Sequence, residues 1–127
     1  MQIGSLGPVV FQTSRSYVRN FQQLQERRRA RYATHDVLNL EQKLQFLGLE
    51  LAEVSLEMHF HHRFCRPRAE LATLAGLIEA HRPHTLVVGG RPLGSFVVEE
   101  LETLWRQVSA RGELLSARAR VRLKEYR

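Results

Sequence analysis

The chain has 127 residues, of which 43% are hydrophobic and 25% charged, a composition typical of one soluble globular domain and unlike that of a disordered segment. Lys and Arg total 19 and Asp and Glu total 13, so the net charge of +6 favours an acidic protein neighbour or a polyanion as partner. The apolar runs span only a few residues, against the roughly 20 that a membrane helix needs, and the single Cys65 excludes an intrachain disulfide.

The first part of the chain predicts strands. Gly7 to Thr13 is a short apolar strand whose Pro8 suits a strand start or a sheet edge. Tyr17 to His35 has neither a clean strand period nor a clean helix period, and we predict one long, partly exposed strand or hairpin arm. A helix is the alternative for this segment, because Gln, Glu, Arg and Ala are good helix formers. Lys43 to Gly48 alternates briefly between apolar and polar residues.

The clearest strand lies within Leu49 to Phe64, where apolar and polar residues alternate. Such a period of two indicates a half-buried antiparallel strand. The apolar face carries Val54, Leu56, Met58 and Phe60, and the polar face carries Glu53, Ser55, Glu57, His59 and His61.

A single helix is predicted over Arg68 to His81. Pro67 breaks the preceding strand, and Arg82-Pro83 ends the helix. Glu70 falls in the first turn, where the helix dipole favours a negative charge. The apolar residues at helical spacing are Leu71, Leu74, Leu77 and Ile78.

After the helix the pattern returns to strands joined by short turns. We predict strands over Thr85 to Val88 and Ser95 to Trp105, with a turn at Gly89 to Pro92 between them. The last strand, Leu114 to Tyr126, alternates over its whole length, and small alanines on its inward face predict close packing of another element. Its inward residues are Leu115, Ala117, Ala119, Val121 and Leu123, and its outward residues are Ser116, Arg118, Arg120, Arg122 and Lys124.

Taken in order, these elements predict a single domain over residues 1–127 of the α+β class, mainly β. Because most strands follow one another through short turns, we expect the sheet to be antiparallel. The prediction is therefore an antiparallel β-sandwich or open barrel with one flanking helix.

Two clusters of basic residues predict protein–protein contacts. The first lies in the arm. The second lies on the outward face of the last strand, where Glu99, Glu100 or Glu102 of a neighbouring strand, or an acidic subunit, would balance the charge. Clustered arginines also neutralise phosphates, but no nucleic-acid fold signature accompanies them, so direct nucleic-acid binding is the disfavoured alternative. The predicted interface residues are Arg27, Arg28, Arg29, Arg31, Tyr32, Arg118, Arg120 and Arg122.

Metal-binding and catalytic patterns are weak. His59 and His61 share a strand face with Glu57, with His62 and Cys65 nearby in sequence, but too few ligands are placed together for a metal site. A polar strand face at an interface or in solvent is the favoured interpretation.

The glycines at positions 89, 90 and 94 lack the spacing of a phosphate-binding loop, and no helix follows them. No framework orients Cys65 as a nucleophile, so we predict a small, partly buried thiol, no enzyme activity and no cofactor or metal.

Five segments carry a family resemblance. They are I-G-S-L-G-P-V-V-F near the start, Q-F-L-G in the middle, A-E-L-A-T-L-A-G-L-I-E-A running into T-L-V-V-G-G, L-G-S-F-V-V-E-E-L-E, and G-E-L-L-S-A-R-A-R-V-R-L-K-E-Y. In this order the chain resembles the phage tail protein U family (GpU) of contractile-tailed phages and phage-tail-like bacteriocins.

The resemblance implies a tail-tube-like fold with extended arms. Because the arginine cluster lacks local periodicity, we predict that residues 17–35 form an arm that contacts a neighbouring subunit. The resemblance also implies self-association in a ring, expected to be hexameric, that joins the inner tail tube to the baseplate hub. The ring would belong to a virion or tail-like particle assembled in the bacterial host cytoplasm. A terminator or completion protein at the head-proximal end of the tail is the alternative. Neither a membrane nor a cofactor is an expected partner.

Overall fold

The computed structural model describes residues 2–13, 18–35 and 43–127. Every strand pairing within these ranges is antiparallel. The elements are β1 (Gln2–Leu6), β2 (Val9–Thr13), β3 (Val18–Arg19), β4 (Phe21–Arg27), β5 (Ala30–His35), β6 (Lys43–Leu49), β7 (Glu53–His61), α1 (Pro67–Glu79), β8 (His84–Val88), β9 (Arg91–Val108) and β10 (Leu114–Glu125).

Eight of the strands form one sheet in the order β3-β2-β1-β8-β9-β10-β7-β4, and β5 and β6 form a separate two-stranded sheet. Only Asn20 separates β3 from β4 in the chain, so the chain itself joins the two ends of the large sheet. The rings of Phe11 on β2 and Phe21 on β4 meet edge to face with their centroids 5.3 Å apart. The sheet is therefore curled, although no pairing between described strands closes it. The predicted class, α+β and mainly β with antiparallel strands and one helix, is confirmed.

The inner face of the curled sheet holds the core. On β7, fully buried and half-buried residues alternate, as the period of two predicts. Ala117 and Ala119 of β10 are fully buried, and α1 packs against β10, β9 and β7. The largest fully buried side chains are Phe11, Phe60, Leu6, Leu56, Met58, Leu86 and Leu123.

Helix α1 runs Pro67–Glu79, one residue earlier at its start and two residues shorter at its end than the predicted range 68–81. It ends early because His81 adopts a φ of 53°, in the left-handed region that stops a helix. Leu71, Leu74 and Leu77 face the core, and burial of each stabilises the fold by about 1.5–3 kcal/mol.

A partly buried ion pair fastens the start of α1 to the sheet. The carboxylate of Glu70, in the first helical turn, accepts a hydrogen bond of 2.7 Å from Nε of Arg19 on β3. The Glu70 side chain is 7% exposed, so its charge needs this partner. The contact fixes the helix start relative to the end strand of the sheet.

Several local predictions are wrong. The strand predicted from Gly7 begins only at Val9, because Gly7 and Pro8 form the turn that follows β1. The turn predicted through Pro92 contains only Gly89 and Gly90, whose φ values of 62° and 78° suit a two-residue hairpin turn, so β9 begins at Arg91. On β10, Leu114 is buried instead of Leu115, because the register shifts on both sides of Ser116. Such a bulge changes which residue faces inward.

Two glycines of the first segment allow close packing between β1 and β8. A Cβ on Gly4 would lie 2.1 Å from the carbonyl oxygen of Val87. A Cβ on Gly7 would lie 2.4 Å from Nδ1 of His84, and Gly7 also has a positive φ of 57°. The strand turn between β1 and β2 therefore requires glycine for both space and backbone conformation.

Gly7→Ala is expected to lower the free energy of unfolding by about 2–4 kcal/mol, since it combines overpacking against His84 with a left-handed backbone. Urea denaturation measures the change. The matched control is Gly76→Ala on an open face of α1, where nothing lies within 4 Å of the added Cβ. That control is expected to raise stability by about 0.5–1 kcal/mol. Equal stability of the two variants would contradict this account.

Candidate functional site

The predicted arm belongs to a long bent hairpin. β4 pairs with β7 as far as Arg27 opposite Glu53, and β5 pairs with β6 from Ala30 opposite Leu49. Within the bend the N–H of Glu50 donates to the carbonyl of Arg29 at 2.9 Å, so the pairing continues. The strand predicted from Leu49 to Phe64 is interrupted here, at residues 50–52.

Only part of the predicted arm, residues 17–35, projects from the main sheet. Residue 17 lies outside the described residues, and the helical alternative is wrong because β3, β4 and β5 account for most of 18–35. β4 is part of the main sheet, whereas β5 pairs only with β6 among the described strands. We use the word arm below for β5 and β6 together.

The arm exposes apolar side chains, most of them on one face. The rings of Tyr32 and Phe46 contact each other across the strands with centroids 5.5 Å apart, yet each residue is 56% exposed. The pairing places Leu44, Phe46 and Leu49 opposite Thr34, Tyr32 and Ala30, so these three share a face with Tyr32, and Leu47 is the extra residue of a bulge. An exposed apolar surface of this kind is typical of an interaction site. Its members are Tyr32, Leu44, Phe46, Leu47 and Leu49.

Carboxylates of the chain itself partly neutralise the predicted arginine cluster at the base of the arm. Arg29 and Arg31 place Nε 3.9 and 4.0 Å from the carboxylate of Glu50. Exposed pairs of this kind stabilise by only about 0–1 kcal/mol, so the arginines stay available to a neighbour. Their part in an interface stays a prediction. The other two members are Arg28, paired with Glu26, and Arg27, opposite Glu53.

The end of the chain fixes the bend from which the arm projects. The N–H of Glu125 donates to the carbonyl of Ala52 at 2.8 Å, and the Glu125 carboxylate accepts from the N–H of Ala52 at 3.1 Å. The Arg127 guanidinium donates to the carbonyl of Glu50 at 3.0 Å. These bonds hold residues 50–52 against the end of β10.

The predicted arginine stripe on β10 lies between two strands that carry carboxylates. Glu57 of β7 forms an ion pair with Arg118 and lies 3.9 Å from Arg120. On the other side, Glu100 of β9 lies 3.1 Å from Arg122. The outer face of β9, β10 and β7 is thus a ladder of alternating charges, which stabilises the sheet across its strands.

Glu100 is the one predicted stripe partner that forms an ion pair within the described part of the chain. Glu102 lies opposite Arg120 in the register, but their charged groups are not in ion-pair contact. Sequence reasoning missed Glu57, although the pairing of β7 with β10 places it directly beside Arg120. The sequence does place Glu57 on the polar face of β7. This position identifies it as a partner of the β10 arginines only when the pairing of β7 with β10 is known.

The histidines predicted as possible metal ligands do not converge. The ring of His61 stacks on that of His62 with centroids 4.4 Å apart, whereas Nε2 of His59 lies 3.8 Å from Glu57. Among the described residues, no three His, Cys, Asp or Glu side chains are grouped so that they could hold a metal ion.

The Cys65 thiol is half-buried after β7 and lies 3.6 Å from the carbonyl oxygen of His61. Burial, followed by the nearby Glu70 carboxylate, raises the pKa of this thiol above its ordinary value. A raised pKa lowers the thiolate fraction at neutral pH and makes a thiol a poor nucleophile.

A second exposed apolar surface lies at the opposite end of the sheet from the arm. β7 begins at the arm with Glu53 opposite Lys124, and ends with His61 opposite Ser116. Near this far end β9 exposes Trp105 and Val108, which are 46% and 50% exposed, whereas the exposed Leu104 lies opposite Arg118 on the outer face. We call this surface the distal patch. The Arg68 guanidinium covers part of it, 5.7 Å from the Trp105 ring centroid.

Exposed apolar side chains thus lie at both ends of this mainly β domain. A family model described as Phage P2 GpU matches residues 7–127, nearly the whole chain, and the chain belongs to this family. It is accordingly a phage tail structural protein, and the family indicates a virion component. A comparison with curated proteins finds no match. Within the described ranges, no helix is long and apolar enough to cross a membrane.

Glu57→Gln is expected to lower the free energy of unfolding by about 1–3 kcal/mol, because it removes the charged acceptor that Arg118 and Arg120 share. The control is Glu102→Gln on the same sheet face, with an expected change within about 0.5 kcal/mol. Urea denaturation at two salt concentrations measures both. If the two variants lose stability equally, the ladder does not depend on Glu57.

Alkylation of Cys65 by iodoacetamide is expected to be slow at neutral pH. Because burial raises the pKa of the thiol, the pH at which the rate reaches half its maximum is expected to lie above that of a free cysteine peptide. The same measurement in urea, where burial is lost, should return the ordinary profile. A profile shifted to lower pH in the folded protein would show an activated thiol and contradict this prediction.

Proposed function

We propose that this chain is a ring-forming subunit that joins the inner tail tube to the baseplate hub of a contractile tail or tail-like particle. The observation that carries the proposal is the arm, whose apolar residues are exposed and need a neighbouring subunit to cover them. The family assignment supports a tail structural role, and the arm supports assembly with other chains.

The positions of the two apolar surfaces favour head-to-tail association. The arm leaves one end of β7 and the distal patch lies beyond the other, so one chain can offer its arm while it receives the arm of another. A contact between two different surfaces of identical chains produces a ring when the rotation between subunits closes. In the proposed ring, expected to be a hexamer, the arm of each subunit covers the distal patch of the next.

A terminator or completion protein at the head-proximal end of the tail is the alternative position, because it would require the same ring. Labelling this subunit in intact particles and locating it by electron microscopy separates the two positions. Density at the junction of tube and baseplate supports the proposal, and density at the head end favours the alternative.

The double substitution Phe46→Glu and Leu47→Glu is expected to abolish self-association. It places two charges within the exposed apolar surface of the arm, so this surface can no longer enter an apolar contact. Both residues are 56% exposed, so the free energy of unfolding of the isolated subunit is expected to change by no more than about 0.5 kcal/mol. Sedimentation velocity measures the assembly, and urea denaturation measures the stability.

The control for this substitution is Tyr126→Glu, which changes an equally exposed residue, 57% exposed, outside the arm and the distal patch. It is expected to leave assembly unchanged. The role of the arm would be refuted if the arm variant assembled as well as this control.

A further inference from the structure

A surface cleft with a basic lining lies between the start of α1 and the turn before β10. Its volume is about 560 Å³, within the range of pockets that hold a ligand or a few side chains. We call it the arginine cleft. Its lining consists of His62, Cys65, Arg66, Pro67, Arg68, Arg111, Gly112, Glu113, Leu114 and Leu115.

The arginines of this cleft differ from those of the stripe and the arm base. Arg66, Arg68 and Arg111 form no ion pair with any described residue, although Glu113 is also in the lining. α1 begins in the cleft at Pro67 without a side-chain cap, so the positive end of its dipole adds to the charge. The cleft therefore has an excess of positive charge that calls for an anionic partner.

A ring contact positions the Arg68 side chain, and hydrogen bonds fix the backbone at Arg111. Arg68 lies over the ring of Trp105 at 5.7 Å. Arg111 stands in a turn organised by Ser109, whose hydroxyl oxygen accepts from the N–H of Arg111 at 3.3 Å and from the N–H of Glu113 at 3.0 Å. An arrangement fixed before binding loses less entropy when a carboxylate arrives.

The partner is expected to combine carboxylates with apolar side chains. Arginine binds carboxylates in a bidentate geometry, and the leucines and the proline of the lining offer apolar contact beside the charges. A nucleic acid would use the charges but leave the apolar part of the lining unused.

The sequence that joins β5 to β6 has this composition. Residues 36–42 read D-V-L-N-L-E-Q, with carboxylates at Asp36 and Glu41 and apolar side chains between them. We infer that the segment 36–42 of a second copy of this chain binds in the arginine cleft, with its carboxylates on Arg66 and Arg111. The inference rests on the proposed head-to-tail function and names the polar half of the same contact.

The register supports this occupant. One part of the cleft lining, residues 62–68, follows the end of β7 at His61. The other part, residues 111–115, precedes Ser116, where β10 begins to pair with β7. The cleft therefore lies at the same end of the sheet as the distal patch. β5 has six residues, which carries the chain roughly 20 Å beyond the bend. One arm from a neighbouring subunit can therefore cover the distal patch with its strands and reach the cleft with the segment 36–42.

Complementary charge reversal tests the inference in the full chain. The cleft variant is Arg66→Glu with Arg111→Glu, and the loop variant is Asp36→Lys with Glu41→Lys. Each alone is expected to weaken self-association about tenfold or more, measured by sedimentation velocity, because each loses charge-assisted bonds and gains repulsion. An equimolar mixture is expected to restore assembly, since each chain then meets an opposite charge at both of its surfaces.

The control is Arg82→Glu with Arg91→Glu, which reverses two exposed arginines outside the cleft and is expected to leave assembly unchanged. Circular dichroism and urea denaturation confirm that each variant is folded. A fluorescein-labelled peptide of residues 34–43 adds a direct measurement by anisotropy. It should bind the arm variant Phe46→Glu/Leu47→Glu, which keeps the cleft, and should not bind the cleft variant.

Several outcomes overturn the inference. Normal assembly of the cleft variant would do so while leaving the proposed function intact, and so would failure of the mixture to assemble. Tighter binding of a short DNA duplex than of the peptide would assign the cleft to a polyanion. If the wild-type chain does not self-associate, the proposed ring is refuted. Binding of the peptide to the cleft would then still show that the cleft recognises the sequence of residues 36–42.

Discussion

The pairing register of β7 with β10 is the constraint on which the rest of the structure depends. Over this register Met58 lies opposite Ala119 in the core and Glu57 lies opposite Arg120 on the outer face. A shift by one residue would turn arginines into the core and leucines into solvent. The apolar core and the charge ladder therefore select the same register, one by burial and the other by charge pairing.

The same register determines where the surfaces for association lie. β7 continues backwards through the bend at residues 50–52 into β6, so the arm projects from the end where β10 finishes. The opposite end of β7 leads into the loop before α1, and α1 approaches β10 and packs against it. The arginine cleft forms at that approach, between the helix start and the turn before β10. One pairing thus separates the arm from the cleft by the length of a strand.

The parts of the fold that sequence predicts are those with local periodicity. β7, β10 and α1 follow from patterns within a single segment, and the resemblance to the GpU family is confirmed over residues 7–127. The bend between β4 and β5 has no such pattern, because Arg28 and Arg29 favour neither strand nor turn. Leu115 was assigned to the wrong face because a bulge interrupts the alternation, and a bulge depends on the partner strand as much as on its own residues.

The surfaces depend on contacts between distant segments, which a pattern within one segment does not contain. Arg66 and Arg68 precede Arg111 by more than forty positions in the sequence, so the cleft that they share is seen only in the folded chain. The arm arginines and the stripe are conspicuous in the sequence, but carboxylates of the same chain contact several of them. The arm arginines and the β10 stripe are therefore partly neutralised within the chain, whereas the arginine cleft keeps its positive charge.

In the proposed assembly, the charges of the arginine cleft and of the segment 36–42 would give the association a direction. Two arginine clefts brought together would repel each other, and so would two copies of the acidic segment 36–42, whereas a cleft and a segment attract. A symmetric two-fold dimer through either surface is thus disfavoured, and contact between unlike ends is favoured. Such a contact repeats from chain to chain, and whether it closes into a ring is set by the rotation between neighbours. The bend held by Glu125 and Arg127 fixes the direction of the arm, so in the proposed assembly this bend would set the rotation.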